Sequence, residues 1–463
     1  MSKPGIHFNL SERKVLLRFF DVLSILCVIF FVNQTFDFDY LILDKAHWTS
    51  VVVLILYISI FGTVFEMYDL QKSSKIEKIA TSIVFTVSVT VLFYVLTPIL
   101  TPFLPGNRLQ IFYFYFSLLF ALFLWRIAYL TFIVSPRFYK KVLIIGETSN
   151  IEYILNAFKD ADPNYKIVGF VNCETQASKQ VAIKDLKSYE PSEIETLIKR
   201  AGITEIVVAS YESESITPEI YRTLISLLES GFSIKEYTQV YEDMTHRVPV
   251  QFVGKDFYKY FPFSRSNHNK LYLFFQRLAD IVISLIGLSA AVFIIVIVYL
   301  INFIGNRGPL FYKQERVGKN GKLFNIIKLR SMVVDAETTG AVWAQKNDSR
   351  ITPFGKFLRH SRLDEIPQFI NILRGDMSLI GPRPERPSFV NDLSKILPFY
   401  ETRHIVKPGL TGWAQVKTRY GNSIDDSLLK LQYDLYYIKH RSFLLDLNIL
   451  IKTLSTVIYY RGQ

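Results

Sequence analysis

An aspartate and a glutamate stand side by side at Asp364-Glu365, with Arg359 shortly before them and Arg383 shortly after. On a helix, neighbours lie about 100° apart, so the two carboxylates face different directions and can serve two reacting groups at one site. One carboxylate can attack phosphorus to form an acyl phosphate while the second acts as base or metal ligand. Phosphoryl chemistry also needs the transferring oxygens neutralised, commonly by Mg²⁺ on one or two carboxylates together with Arg or Lys. Arg359, Arg383, Lys328 and Arg330 are the candidates for the cationic share. The competing reading makes the acidic pair a complement to a helix dipole and each cation a solvated surface charge. The pair therefore matters only for the company it keeps.

That company is basic. Residues 306–420 hold 20 Lys plus Arg against 10 Asp plus Glu, and so carry most of the net +12 of the whole chain. Such a surface handles anions, either phosphates or lipid head groups. Within it lie Phe324-Asn-Ile-Ile-Lys328-Leu-Arg330-Ser-Met332, Leu358-Arg359-His-Ser-Arg-Leu-Asp364-Glu365-Ile-Pro-Gln368, Gly375-Asp-Met-Ser-Leu-Ile-Gly-Pro-Arg383-Pro384 and Lys407-Pro-Gly-Leu-Thr-Gly-Trp-Ala-Gln415. Each mixes rigid turn residues with cations. No phosphate-cradling Gly-x-x-x-x-Gly-Lys-Ser/Thr loop, Gly-x-Ser-x-Gly elbow, His-Glu-x-x-His or paired Cys-x-x-Cys competes with them. His360 and His404 read as hydrogen-bonding or surface residues rather than bases. Trp413 has two open readings, stacking on a base or sugar and anchoring at a membrane interface.

The elements that must position these residues begin in a membrane. With 463 residues the chain has room for about three domains. Half of it is hydrophobic, 15% is aromatic and only 20% is charged, which excludes a disordered chain and points to lipid. Four apolar segments, residues 15–36, 49–68, 79–104 and 109–134, each approach the ~20 residues a bilayer crossing needs. Arg13, Lys14 and Arg18, then Lys72, Lys75 and Lys78, then Arg137, Lys140 and Lys141 flank alternate ends, so both ends of this bundle are expected in the cytoplasm. Asp21 and Arg126 fall inside apolar runs near span ends and are expected to snorkel to water. The first run is long and lacks a small-residue cleavage site, so no cleavable signal peptide is expected. Two cysteines, Cys27 and Cys173, build no disulfide framework and suit a reducing cytosolic face.

From Lys140 the pattern changes to a buried-type strand, Lys-Lys-Val-Leu-Ile-Ile-Gly146, followed by a helical period from Ile151 to Phe158. Strands are expected at Lys166–Val171, Glu205–Ala209 and Ser233–Tyr237, with helices around 191–201 and 218–230, which together give a Rossmann-like parallel α/β sheet. After Gly146 comes Glu-Thr-Ser-Asn, without the further glycines that let a backbone approach a pyrophosphate, so no dinucleotide is expected there. A fifth apolar run, residues 281–304, has Arg265, Lys270 and Arg277 before it and Arg307, Lys313 and Arg316 after it. Cations on both flanks predict a helix that enters and leaves by the cytoplasmic face, broken near Gly287–Ser289; an ordinary span is the alternative. The expected organisation is a four-helix transmembrane bundle over 1–136, a Rossmann-like α/β domain over 137–262, and a mixed, mainly helical catalytic domain over 263–463 with its membrane helix at about 272–305.

Residues of about 272–463 resemble the bacterial sugar transferase domain of the monotopic polyprenyl-phosphate sugar-1-phosphate transferases, also called phosphoglycosyl transferases. The resemblance rests on Phe-Tyr-Lys-Gln-Glu-Arg-Val-Gly (311–318), Lys-Leu-Arg-Ser-Met (328–332), Leu-Asp-Glu-Ile-Pro-Gln (363–368), Gly-Asp-Met-Ser-Leu-Ile-Gly-Pro-Arg-Pro (375–384) and Lys-Pro-Gly-Leu-Thr-Gly-Trp-Ala-Gln-Val (407–416), in the family's order. It implies transfer of a sugar 1-phosphate from a UDP-sugar to undecaprenyl phosphate, with release of UMP, as the first membrane step of exopolysaccharide, capsule or O-antigen synthesis. It implies Asp364 as the nucleophile and Mg²⁺ ligand, Glu365 as the group that helps activate the lipid phosphate, and Arg359, Arg383, Lys328 and Arg330 as phosphate or nucleotide contacts. It also implies a multi-pass protein of the bacterial inner membrane with its catalytic domain on the cytoplasmic face, in contact with membrane lipid and not with nucleic acid. Homodimerisation through the spans and the middle domain is a hypothesis beside it. Two departures stand out: no proline occurs between Pro262 and Pro309, where the family breaks its membrane helix, and Arg362-Leu363 replaces the family's Ser-Leu before the dyad. The donor stays open among glucose, galactose and an N-acetylated hexosamine. The rival reading is a non-catalytic assembly protein that binds polyprenyl phosphate without turnover.

Overall fold

The computed structural model describes the chain except residues 1–9, 37, 45–46, 74–75, 133–138, 148–153, 156–157, 159–161, 163, 174–185, 210–215, 251–266, 268, 335, 337–347, 419–420, 422 and 459–463. It divides into two compact units, Met1–Thr245 and His246–Gln463.

The first unit opens with four apolar helices: α1 (Leu10–Thr35), α2 (Trp48–Val64), α3 (Ile76–Leu96) and α4 (Leu109–Phe132). α1 packs against α4 and α2 against α3, around Ile25, Leu54, Ile58, Val87 and Leu118. Three of the four contain at least 18 consecutive residues apolar enough to cross a bilayer, whereas α2 has 17 and sits at the short end of that range. The third ends at Leu96 rather than at 104 because Pro98 follows, and proline with its predecessor resists helical continuation. Asp21 and Arg126 do not snorkel. Arg126 Nη2 donates to Asp21 Oδ2 at 2.8 Å with both side chains buried, because hydrocarbon makes pairing the cheaper way to satisfy both charges. Eight residues earlier on α1, Arg13 pairs with Asp162 at 2.5 Å, tying the helix to the sheet that follows.

That sheet has five parallel strands in the order β3-β2-β1-β4-β5, from β1 (Lys140–Gly146), β2 (Tyr165–Asn172), β3 (Lys187–Tyr189), β4 (Glu205–Ala209) and β5 (Ser233–Glu236). The Val-Leu-Ile-Ile run of β1 is buried throughout, as a central parallel strand covered on both faces requires. The order matches the first five strands of the 3-2-1-4-5-6 Rossmann arrangement, with α5 (Pro218–Glu229) and α6 (Tyr237–Thr245) following β4 and β5. Tyr237 belongs to α6 rather than to β5. Most of the helical period expected over Ile151–Phe158 lies outside the described residues.

The second unit is built on α7 (Lys270–Gly305), 36 residues long. Ile286, Phe293 and Leu300 are exposed along it, as lipid-facing side chains are. The break expected at Gly287–Ser289 is not there: the helix runs through it. No proline removes a ladder bond, and Ser289 Oγ donates to Leu285 O at 2.9 Å, a contact that bends helices without breaking them. Gly287 is instead a packing site, since a Cβ there would come within 2.5 Å of the Phe369 ring.

Both ends of α7 are held by polar contacts to this same unit. Near its start, Arg277 donates to the carbonyls of Ile372 (2.6 Å) and Leu373 (2.7 Å), and Asp280 accepts from Leu379 N (2.8 Å) and Ser378 Oγ (3.1 Å). Near its end, Asn302 Nδ2 donates to Gly308 O at 3.0 Å and Asn306 Nδ2 to Arg330 O at 2.7 Å. The antiparallel hairpin β6 (Phe311–Val317) and β7 (Leu323–Leu329) follows, then α8 (Pro353–His360), α9 (Gln368–Arg374), the short parallel pair β8 (Ser378–Ile380) and β9 (Gly409–Thr411), α10 (Pro387–Ile396), α11 (Ile424–His440) and α12 (Phe443–Ile458). Ile372, Met377, Leu379, Trp413, Leu431, Leu435 and Ile449 share one core.

Candidate active site

The acidic pair lies on a 3-10 turn, Leu363–Glu365, launched by Arg362 in the left-handed region at φ 58°. A non-glycine residue pays about 1–2 kcal/mol for that conformation, so the surrounding structure must impose it. α8 arrives from one side. Thr352 Oγ1 accepts from Gly355 N at 2.9 Å and Pro353 takes the first helical position, a conventional start. Gly355 lies so close to the segment after β7 that a Cβ would be 1.8 Å from Ser331 O. This approach brings Arg359, in the last turn, to Ser331, whose Oγ accepts from Arg359 Nε at 2.8 Å.

β7 brings Lys328 and the segment Gly381–Pro387 brings Arg383. Arg383 Nη2 lies 2.6 Å from Glu365 Oε1, Lys328 Nζ 3.5 Å from the same oxygen, and Arg362 Nη1 3.8 Å from Glu365 Oε2. Asp364 and Glu365 are both buried. Their surroundings divide them. Burial alone would push Glu365 up, but Arg383, Lys328 and Arg362 hold its carboxyl well below the usual range. Asp364 is pushed up to about 6, by burial first and by the neighbouring Glu365 charge second, against the pull of Lys328, Arg359 and Arg362. Burial lowers Lys328, with Glu365 opposing. Among the described residues, Asp364 Oδ1 is buried and has no hydrogen-bond partner.

Of the six residues singled out by sequence, Asp364, Glu365, Lys328 and Arg383 converge, and the charge of Arg359 acts on Asp364. Arg330 is turned elsewhere: its Nε donates to Pro309 O (2.6 Å), its Nη1 to Asn306 Oδ1 and Met332 O (both 3.2 Å), and its Nη2 to Asn306 O. Four of its five N–H groups are thus spent, three of them on the turn where α7 ends, and the structure makes it a clamp on that turn. Trp413 neither stacks outward nor anchors an interface. It is buried, its Nε1 donating to His246 O at 3.2 Å, because Gly412 and the apolar β9 segment fold it into the core. His404 is pushed down to about 4 by burial and by Arg403, so it is neutral at physiological pH, and His360 is exposed. Sequence reasoning passed over Arg403, Asp434 and Asn371, which lie behind the site. Asn371 Oδ1 accepts from Ile327 N at 3.0 Å and its Nδ2 donates to Asn325 O at 2.8 Å, joining α9 to β7. Only the polarity of Asn371 within the apolar stretch Phe369-Ile-Asn-Ile-Leu373 could have pointed to it.

Among the described residues no three His, Cys, Asp or Glu side chains converge as a metal cage. Mg²⁺ rarely uses such cages and is usually held by one or two carboxylates plus substrate phosphates. The unpartnered, buried Asp364 Oδ1 fits that mode.

The profile of the family described as "Bacterial sugar transferase" matches residues 271–460. The chain is 36% identical over 254 residues to a UDP-N-acetylgalactosamine-undecaprenyl-phosphate N-acetylgalactosaminephosphotransferase of Aeromonas hydrophila, covering 55% of this chain and 59% of that protein. It is 46% identical over 154 residues to a UDP-glucose:undecaprenyl-phosphate glucose-1-phosphate transferase of Xanthomonas campestris pv. campestris, covering 33% of this chain and 32% of that one. A Bacillus subtilis sugar transferase, EpsL, described as uncharacterized, is 36% identical over 189 residues, which are 38% of this chain and 88% of EpsL. The match thus spans less than two thirds of the first two relatives and nearly the whole of the small one.

Proposed function

The chain belongs to the bacterial sugar transferase family, and from that premise we propose that it transfers a sugar 1-phosphate from a UDP-sugar to undecaprenyl phosphate through an aspartyl intermediate. The observation that carries this reading is the division of labour within the dyad: one buried carboxylate neutralised by three cations, its neighbour left with a buried oxygen that has no hydrogen-bond partner among the described residues.

Asp364 attacks the sugar-bearing phosphorus of the UDP-sugar. An Asp O–P bond forms, the bond from that phosphorus to the bridging oxygen breaks, and UMP leaves with the electron pair. An oxygen of undecaprenyl phosphate then attacks the same phosphorus, giving undecaprenyl-diphosphate-sugar and freeing the carboxylate. A carboxylate as acidic as Glu365 is a poor proton acceptor, and a phosphate monoester is already ionised at neutral pH. Glu365 therefore activates the lipid phosphate by holding Arg383 and Lys328 where its oxygens arrive. Arg359 serves the phosphate oxygens from the Ser331 side, and Arg330 shapes the turn that joins the membrane helix to β6. Asp364 is the residue that would hold Mg²⁺, which when bound supplies charge neutralisation on the diphosphate.

The reading keeps both ends of α7 at the inner face of the cytoplasmic membrane, so that the unbroken helix bends or lies along that face rather than crossing. Straight, 36 residues would extend about 54 Å against a hydrocarbon thickness of about 30 Å. Anchors at Asp280 and Asn306 to one polar unit support a helix whose two ends stay on one side. The donor is a UDP-hexose or UDP-N-acetylhexosamine, as the relatives' names indicate for those proteins. The pathway is exopolysaccharide, capsule or O-antigen initiation in the bacterial inner membrane.

The test is UMP release by the purified membrane protein with undecaprenyl phosphate, Mg²⁺ and a panel of UDP-sugars, beside Asp364→Asn and Glu365→Gln. Release with one donor, lost in Asp364→Asn and strongly reduced in Glu365→Gln, is expected. Release that Asp364→Asn leaves intact would overturn the assignment of the nucleophile.

A further inference from the structure

Arg383 reaches Glu365 from a segment with unusual backbone accounting. Pro382, Pro384 and Pro387 lack N–H groups, so the segment cannot pair as a strand, and its carbonyls must find donors elsewhere. Four consecutive carbonyls do. Pro382 O accepts from Gly409 N at 2.9 Å, Arg383 O from Arg403 Nη2 at 3.1 Å, Pro384 O from Arg316 Nη1 at 3.1 Å and Glu385 O from Val317 N at 2.9 Å. Two of these donors are backbone and would survive any side-chain change. The bond at Arg383 itself depends on one buried guanidinium. Arg403 is held in turn by Asp434, whose Oδ2 accepts from Nη2 at 2.7 Å, and by Tyr400, whose hydroxyl oxygen accepts from Nη1 at 2.6 Å. Arg403 and Asp434 are only 6% and 2% exposed, so the pair meets neither solvent nor substrate directly.

A buried ion pair is weak ground for a stability argument, since apolar residues of like volume often serve as well. What apolar residues cannot do is donate to the carbonyl of the residue whose side chain grips Glu365. We propose that Arg403 and Asp434 are a positioning pair for the transfer reaction, acting through the Arg383 carbonyl to fix the Arg383 guanidinium against Glu365. The inference rests on the proposed role of Arg383 and goes one layer behind it. Displacement of a reacting group by about 1 Å can cost about 10²-fold in rate, and release of the Arg383 carbonyl permits a shift of that size.

The experiment is a double-mutant cycle on the full-length protein: Arg403→Lys, Arg383→Ala and both together, with Asp434→Asn as a second route to the same pair. Rates of UMP release, KM for the UDP-sugar and melting midpoints are read for each. Arg403→Lys and Asp434→Asn should each lower kcat by about 10²-fold with KM within about threefold, and Arg403→Lys should cost nothing further in the Arg383→Ala background. Equal fold losses in both backgrounds, or losses that track the melting midpoint, would overturn the inference while leaving Arg383 in place. Full activity in Arg383→Ala would instead remove Arg383 from the proposed mechanism, and the positioning role with it. Should Arg403→Lys fail to fold, Asp434→Asn in the two Arg383 backgrounds decides by the same criterion.

Discussion

Acidifying the reaction from pH 7 to pH 5 should slow the first half of the transfer about tenfold, and the reason lies in the two carboxyls. In the proposed mechanism Asp364 attacks only as the carboxylate. With its carboxyl pushed up to about 6 by burial and by the adjacent Glu365 charge, it is roughly 90% ionised at pH 7 and roughly 10% at pH 5. Glu365, held far lower by Arg383, Lys328 and Arg362 despite its burial, stays ionised across the whole window and contributes no limb of its own. The profile should therefore show one acid limb, centred near 6. Arg362 supplies a directional check. Its guanidinium lies 3.8 Å from Glu365 Oε2 and its charge draws Asp364 down, so Arg362→Ser should move the limb to higher pH. Rapid-quench measurement of UMP from UDP-sugar without lipid acceptor, from pH 4.5 to 8, isolates the step. A rate that holds flat to pH 5, or a limb that Arg362→Ser moves downward, would refute the electrostatic reasoning.

Gly355→Ala should destabilise the second unit by about 3 kcal/mol or more, because a Cβ 1.8 Å from Ser331 O can be admitted only by moving backbone; thermal melting in detergent measures it. Arg126→Ala should cost about 3–5 kcal/mol by stranding Asp21 in the bundle, whereas replacing both residues by leucine should recover most of that loss, read as resistance to denaturing detergent. Burial raises Asp434 to about 6 although Arg403 pulls it down, so its protonation favours the folded state. The stability from this group is complete below the unfolded value near 3.9 and is lost as pH rises through 6; Asp434→Asn should flatten the melting midpoint between about pH 4 and 6.

What was legible in the sequence was what is local. Buried strands announce themselves by continuous apolar runs, so Glu205–Ala209 is found to the residue and β2 within one at each end. The dyad and its cations are legible because five motifs lie in order and carry their chemistry with them. Contacts made across the chain were not. Asp21 and Arg126 stand 105 residues apart, and nothing in either neighbourhood says that they pair rather than reach for water. Lys328 and Arg330 flank Leu329 and share a face by strand parity, yet one meets Glu365 and the other clamps the end of α7. Parity fixes the face of a side chain, and its length and the next turn decide the partner. Trp413, open in sequence to stacking on a base or sugar or to anchoring at a membrane interface, does neither, because glycines also admit a bulky ring into a core.

Two adjacent carboxylates would ordinarily share their environment, and here they do not. The 3-10 turn separates their directions, so all three nearby cations within ion-pair reach fall on Glu365, and Asp364 feels them only through space. Had the cations been shared, both carboxyls would have been strongly acidic and weakly nucleophilic. Had they been absent, two negative charges in a buried site would have held one proton between them. Concentrating the cations on Glu365 leaves Asp364 ionised at neutral pH yet not acidic enough to be inert. The left-handed Arg362 that launches the turn, the bonded carbonyls behind Arg383 and the approach of Gly355 to Ser331 all serve that asymmetry. Reversing the dyad, with Asp364→Glu and Glu365→Asp together, retains every charge and changes only reach. The shorter carboxylate at 365 falls short of Arg383 by about one methylene, and the double variant should be nearly inactive in UMP release while retaining its fold.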